Sequence, residues 1–542
     1  LLDRLPTLRP SWWQKLWSPE LWSESTKRLV GLGLNVTQLT HPYTQRYVPT
    51  HTDLETTQKA MTRERSQTEV PKVFCEETLL VSSLHVYESQ PLPKDSHILL
   101  YATVSDGIGD LEHAMKAAHR LLEIQKHEQL KFSMLLYRGS GVEEQIWNEK
   151  IASLRKLGII VYHIGDYATD KEKEDAINAL SKQKDPNLTP IAISAPDSTP
   201  LEEIGFAVEH KDIAAVTEYG SGFLSGFLQT GLHTETAGIW MSDDPVFDKT
   251  PIPLSEKAQQ QLFGTTKLDR SQWSVGYASL RDKNAQLNWM DLRLHSVPLD
   301  KHCSLVLSSS MKVGSNDDQN IHDLAIRHQF TDCIIVERDG SERKLSLKPS
   351  WWQTLFNQNP VKRTLRIVRS FIDEADLAAV IQQGSDGCIG ASGDTSFARS
   401  LTGKYPPFIE NRRTANKMPL LIGAACDYFK NAQYPLLAKW FDDLLTQSVT
   451  PYTPSRNPYS EDLMAEWQRF QQQDLPRLDM APWFDLYVRR CAYAHRANVS
   501  KSNAFLAVES KYRPLSYETK PLSEAERISY EAEMKPILEQ LA

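Results

Sequence analysis

His97-Ile-Leu-Leu-Tyr-Ala-Thr-Val-Ser-Asp-Gly-Ile-Gly-Asp-Leu-Glu-His113 is the stretch on which the fold turns. Its first half is an apolar run of strand length, and its second half turns at two glycines into a helix. Leu111, Met115, Ala118 and Leu122 recur at helical spacing and predict one apolar face. Similar short runs follow at Phe132–Arg138, Ile159–Gly165, Pro190–Ser194, Ala214–Gly220 and Ala237–Ser242, several of them separated by helical segments. Strands alternating with helices predict parallel βαβ units. A polar stretch with prolines, Asp243–Asp269, reads as a linker, and the alternation then restarts at Trp273–Ser279, Cys303–Ser309, Asp332–Glu337, Leu365–Phe371 and Asp386–Ser392.

The expected fold class is therefore α/β, with two Rossmann-like domains over 91–265 and 266–450 facing a cleft, a favoured place for a ligand. An accessory region over 1–90 precedes them. A helical region over 451–542 follows, with helices expected at Glu461–Gln472, Pro482–Ala497 and Ser523–Leu541.

Composition bounds the function. The 542 residues are 40% hydrophobic and 24% charged, the balance of a folded chain with more than one core. A net charge of −8 gives no general pull toward nucleic acid or an anionic membrane. No apolar run has membrane-spanning length, so a cytoplasmic protein is expected. The chain begins at Leu1, as a fragment or a processed form would, and its Trp-rich start lacks the apolar core of a signal peptide. Cys75, Cys303, Cys333, Cys388, Cys426 and Cys491 are scattered, which predicts buried free thiols and argues against a zinc site built on them. Pro10-Ser-Trp-Trp-Gln14 is echoed at Pro349-Ser-Trp-Trp-Gln353, either as two helix starts with a Ser N-cap or as a duplicated binding element.

Two strand-to-helix junctions carry candidate chemistry. Ligands bind open α/β sheets at the carboxyl ends of the strands. Asp106 and Asp110 at the first junction make a poor phosphate loop and a better place for a general base, since neighbouring carboxylates can separate their pKa values. Both also suit helix capping, and His113 is either a second base or a surface histidine. The second junction, Cys388-Ile-Gly-Ala-Ser-Gly-Asp-Thr-Ser-Phe-Ala-Arg399, is small and glycine-rich. Backbone N–H groups near Gly393, with Ser392, Thr395 and Ser396, suit a diphosphate, or serve packing and capping alone. Asp394 could bind ribose or sugar hydroxyls, and Arg399 could meet a phosphate or brace the loop. Tyr277 and Trp273 open the second domain and suit either base stacking or the core. Arg281, Lys404, Arg412, Arg413 and Lys417 are candidate partners for diphosphate charge.

Together the two junctions resemble those of GT-B glycosyltransferases, and in particular bacterial protein-arginine rhamnosyltransferases. Asp106-Gly-Ile-Gly-Asp110 matches that family's Asp-x-x-Gly-Asp. Gly393-Asp-Thr-Ser-Phe-Ala-Arg399 is similar to its Gly-Glu-Asp-Ser-Phe-x-Arg, with Thr395 in place of an aspartate. Phe371-Ile-Asp-Glu-Ala-Asp-Leu377 falls where the family carries an aromatic and acidic loop near the nucleotide. The resemblance implies that Asp106 and Asp110 activate the acceptor and that Asp394 takes the donor-loop role. It also implies a co-substrate such as GDP-mannose, dTDP-rhamnose or a UDP-sugar, with no bound metal and no further cofactor. A protein side chain is an attractive acceptor, and an effector secreted into a host cell would suit the long flanking regions. The competing readings are a nucleotide-sugar epimerase of the same fold and a non-catalytic GT-B scaffold used for binding.

Overall fold

The computed structural model describes residues 83–542 except 105–108, 140–141, 143, 167, 182–184, 186, 195–198, 207–213, 220–227, 233–235, 243, 249, 267–269, 308–315, 348–361, 370–371, 411–416, 448–458 and 513–522. By contacts the chain divides into Leu1–Lys72 and Val73–Ala542, and every described residue belongs to the second unit. Asp106, Cys75, Phe371, Arg412, Arg413 and both Pro-Ser-Trp-Trp segments lie outside the described residues, as does most of the accessory region.

The first lobe runs β1 (His97–Val104), α1 (Gly109–His127), β2 (Lys131–Arg138), α2 (Glu144–Lys156), β3 (Ile160–Gly165), α3 (Asp170–Ala176), β4 (Leu188–Ser194), α4 (Thr199–Glu203) and β5 (Ala214–Thr217). Its sheet is parallel, in the order β3-β2-β1-β4-β5. β1 is central, pairing His97 with Lys131 on one side and with Leu188 on the other. Alternate side chains of a strand point to opposite faces. Accordingly Ile98, Leu100, Ala102 and Val104 join one core, while Leu99 and Tyr101 join another. Covering both faces explains why this strand reads as continuously apolar. The buried face of α1 is Leu111, Ala114, Ala118 and Leu121, whereas Met115 and Leu122 are only partly buried, so the predicted stripe is rotated slightly.

The second lobe runs α5 (Glu256–Phe263), β6 (Trp273–Ala278), α6 (Lys283–His295), β7 (His302–Leu307), α7 (Asn316–Arg327), β8 (Asp332–Val336), β9 (Glu342–Leu345), β10 (Thr364–Val368), α8 (Glu374–Gly384), β11 (Gly390–Ala391), α9 (Asp394–Ser400) and β12 (Phe408–Ile409). The order is β12-β11-β6-β7-β10-β8-β9, parallel except for the β8–β9 pair. The expected pair of Rossmann-like sheets is thus present.

Three expectations are corrected, and one strand was not expected. Ala237–Ser242 is not a strand of the sheet. Ala237, Ile239 and Trp240 are apolar because they are buried, and Ile239 bridges only to Asp479 of the tail. Gly238, at φ +93°, admits that tail so closely that a Cβ would stand 2.0 Å from Leu478 O. The stretch read as a linker contains α5, which is capped by Ser255 Oγ accepting from Ala258 N. The run expected at 386–392 gives only the two residues of β11. β9 escaped notice because it is a short edge strand rich in charge, which blunts an edge.

The tail runs α10 (Lys417–Asn431), α11 (Pro435–Gln447), α12 (Glu461–Gln473), α13 (Ala481–Ser500), α14 (Asn503–Tyr512) and α15 (Glu524–Leu541). α12 packs on the second lobe, where Trp467 Nε1 donates to Gly403 O at 2.8 Å. α13 returns to the first, where Ala215 N donates to Tyr487 OH at 3.1 Å and Arg120 pairs with Asp485. Five cysteines are buried free thiols, and burial pushes Cys303 and Cys333 up to about 12. Among the described residues no helix is long and apolar enough to cross a membrane.

Candidate active site

In each lobe the strand order decides where a ligand sits. From β1 the chain moves outward to β2 and β3, then crosses back to β4 on the other side of β1. From β6 it moves outward to β7, β8 and the edge strand β9, returns to β10 between β7 and β8, then crosses to β11 on the other side of β6. The crevice at such a reversal, outside the carboxyl ends of the strands, is the preferred ligand site of an open α/β sheet. Both predicted junctions lie there.

In the first lobe, Asp110 is half-buried in the first turn of α1, and Asp106 lies outside the described residues. His113, one turn on, is 2% exposed rather than on the surface. Its Nδ1 lies 3.2 Å from Ser194 Oγ, and its ring packs 5.0 Å from that of Tyr219. Ser194 ends β4 with φ +72°, a left-handed conformation uncommon for a residue with a side chain. Its hydroxyl thus stands at the carboxyl end of β4, against His113 of α1. Tyr219 OH accepts from Trp240 N at 2.8 Å, and burial pushes its phenol well above its usual pKa.

In the second lobe, Ser396 Oγ accepts from Ser392 N and Gly393 N, both at 3.1 Å, and donates to Gly393 O at 2.9 Å. Two N–H groups expected to face a diphosphate are therefore already capped. Asp394 Oδ2 accepts from Tyr219 N at 3.1 Å, so this side chain meets the first lobe instead of opening to solvent. The buried Thr395 Oγ1 has no hydrogen-bond partner among the described residues. Arg281 is exposed just past the carboxyl end of β6, beside β11, and its backbone N donates to Glu410 Oε2 at 2.5 Å.

Arg399 is held by carboxylates. Its Nε donates to Asp244 Oδ2 at 2.9 Å and its Nη2 lies 3.5 Å from Glu112 Oε2. Lys116 Nζ meets Asp244 at 2.7 Å, and Lys150 Nζ meets Glu112 at 2.7 Å. Burial raises the Asp244 carboxyl, but the Lys116 and Arg399 charges outweigh it and hold the pKa below the usual value. Three cations and two anions thus join α1, α2, the connection between the sheets and α9. Nothing in the sequence marked Asp244, Glu112 or Tyr219 as neighbours of Gly393–Arg399, because these contacts join residues distant in the chain.

The remaining candidates sit elsewhere. Tyr277 is buried in the core under β6. Trp273 is at the amino end of β6, stacked 4.8 Å from His302, and lines a cavity of about 910 Å³ with Phe263, Arg270 and Gln382. That is the edge of the sheet opposite the crevice. Asp376, from the predicted nucleotide loop, accepts from Ser255 N and Oγ at 2.7 and 2.6 Å and holds the start of α5. Lys404 is exposed beside Tyr405, and of Lys417 only the backbone is described.

No family model matches the chain, and no curated protein does. Solved structures give weak likenesses. A glycosyltransferase from Rickettsia africae ESF-5 is 11% identical over 76% of this chain and 100% of its own, with a TM-score of 0.33. The UDP-GlcNAc 2-epimerase of Methanocaldococcus jannaschii is 9% identical over 68% of this chain and 97% of its own, at 0.34. The trehalose-6-phosphate phosphatase N-terminal domain of Candida albicans is 10% identical over 74% and 98%, at 0.33. Likenesses of this order carry no argument about activity, and the fold stands on the chain's own sheet order.

Proposed function

We propose that the chain is a glycosyltransferase, moving a sugar from a nucleotide-sugar donor to an acceptor where α1 meets α9. The observation that supports this most is the meeting itself. Two junctions singled out by their residues lie at the ligand crevices of two separate sheets; Arg399 of the second meets Glu112 of α1, and Asp394 meets Tyr219, which follows β5 of the first lobe.

In this reading Asp110 is the general base, with Asp106 beside it in sequence as the resemblance implies. The acceptor oxygen or nitrogen forms a bond to the anomeric carbon, and its proton passes to a carboxylate. The bond from that carbon to the diphosphate oxygen breaks, and the nucleoside diphosphate leaves with the electron pair. Arg281 is the cation best placed at the β6–β11 crevice to meet that charge. His113, buried between Ser194 and Tyr219, is a positioning residue for α1. Donor contact through Asp394 would follow release of its hydrogen bond to Tyr219. No metal takes part in the transfer step, and a protein side chain is the acceptor, both as the resemblance implies.

The test offers GDP-mannose, dTDP-rhamnose and UDP-sugars in turn, with and without protein acceptors. It measures nucleoside diphosphate release and identifies products by mass spectrometry. Transfer or donor hydrolysis that falls roughly 10²–10⁴-fold in Asp110→Asn, with folding intact, is expected. Conversion of free donor to an isomer without acceptor would instead make it an epimerase. No turnover and no nucleotide binding by the unaltered chain would sink both.

A further inference from the structure

Asp291 and His295 are four residues apart on α6 and so share one face of the helix. His328 follows the end of α7, which packs beside α6. One ligand atom from each of the three lies within 4.8 Å of the others. The two imidazole rings stand 4.7 Å apart at 87°, and His328 Nε2 is 2.7 Å from Asp291 Oδ1. Asp291 is 3% exposed, a carboxylate that needs compensation for lost hydration. Its other oxygen accepts from Arg327 Nη1 at 3.2 Å, and that guanidinium is 53% exposed, free to swing into solvent.

We infer that Asp291, His295 and His328 form a zinc site that pins α6 to the end of α7. Two imidazoles and one carboxylate are a donor set for zinc, whereas calcium and magnesium take oxygen ligands. Pairing ligands four apart on a helix with a third from a neighbouring element is a common way to build such a site. Water completes the tetrahedron on the exposed His295 side, and Arg327 leaves the carboxylate as the ion arrives.

α6 follows β6 and runs back along the sheet, so its last turn lies at the amino ends of the strands. α7 does the same after β7. The site is therefore on the edge opposite the crevice that holds Arg281 and Gly393. Its role is structural, joining two helices that cover one face of the second sheet, and it stands independently of the proposed transfer.

The experiment uses the full chain without an affinity tag, stripped with a chelator and titrated with Co²⁺. One equivalent should produce the visible d–d absorption of a tetrahedral ion, and Zn²⁺ should abolish it by competition. Losing an outer-sphere partner of a metal costs roughly 10–100-fold in affinity, so His295→Ala and His328→Ala should each weaken binding at least that much. Zinc should raise the melting temperature of the unaltered chain and leave that of His295→Ala unchanged. His295 is exposed, so its removal leaves the fold testable. No d–d band, or a band that persists in both histidine variants, overturns the site.

Discussion

Arg399 and Asp244 are 155 residues apart in sequence and form a buried ion pair at 2.9 Å. The pair ties helix α9 to the connection between the two sheets, and through Lys116 to α1. Removing one member leaves the other charge buried and partly uncompensated, a loss of about 3–5 kcal/mol for such pairs. Asp244→Ala and Arg399→Ala should each destabilise by that order in denaturant unfolding. The double variant should be less destabilised than the sum, because each single change already breaks the shared contact. Additive losses would mean that the two side chains do not act as a pair.

The same carboxylate sets an acid limit. Its pKa is lower folded than the usual 3.8, so its contribution is present above that value and is lost as pH falls through the folded pKa. The melting-temperature gap between the unaltered chain and Asp244→Asn should be constant from neutral pH down to about 4 and close below it. A gap that widens on acidification would have the wrong sign for this carboxylate.

How much of this was legible in the sequence follows from the range of the interactions. β1, α1 and the runs of β6, β7, β8 and β10 could be read because burial and periodicity are local properties. The two junctions could be read because glycine and small polar residues in the sequence mark turns, as at Gly107, Gly109 and Gly393. The roles of Arg399 and Asp376 could not. A lone Arg one turn into a helix looks the same whether it meets a phosphate or Asp244. Asp376 sat in an acidic loop whose true partner, Ser255, is 121 residues away. Trp273 stays open between base stacking and the core for a different reason: the amino end of a strand and its carboxyl end differ only once the sheet is assembled.

A fully buried guanidinium sits in the second lobe. Arg293 is 0% exposed, and its Nη2 donates to Ser274 Oγ, Val275 O and Asp386 Oδ1 at 2.7, 2.8 and 2.7 Å. Gly387 lies against it, where a Cβ would stand 2.4 Å from Arg293 Cζ. Gly387→Ala should therefore lower stability by at least ~1–3 kcal/mol, the usual cost of overpacking, since the guanidinium cannot move without leaving these partners. Thermal unfolding checks this, and an unchanged melting temperature would show that the loop yields instead.

Gly393 gives the opposite case and so tests the donor loop directly. Its φ of −165° is extended backbone open to any residue, and a Cβ there meets nothing within 4 Å. Gly393→Ala should cost no more than about 1 kcal/mol, the difference between Gly and Ala at a helix N-cap. If a diphosphate approaches this backbone, the added methyl occupies space that only the ligand needs. The variant should then raise KM for the donor several-fold while its melting temperature stays within a few degrees of the unaltered chain. Ser396→Ala should separate from it, because it removes the hydroxyl that caps Ser392 N and Gly393 N and so should lower stability as well. Full donor affinity in Gly393→Ala would place the nucleotide away from this turn and leave Gly393–Arg399 as a brace between the lobes.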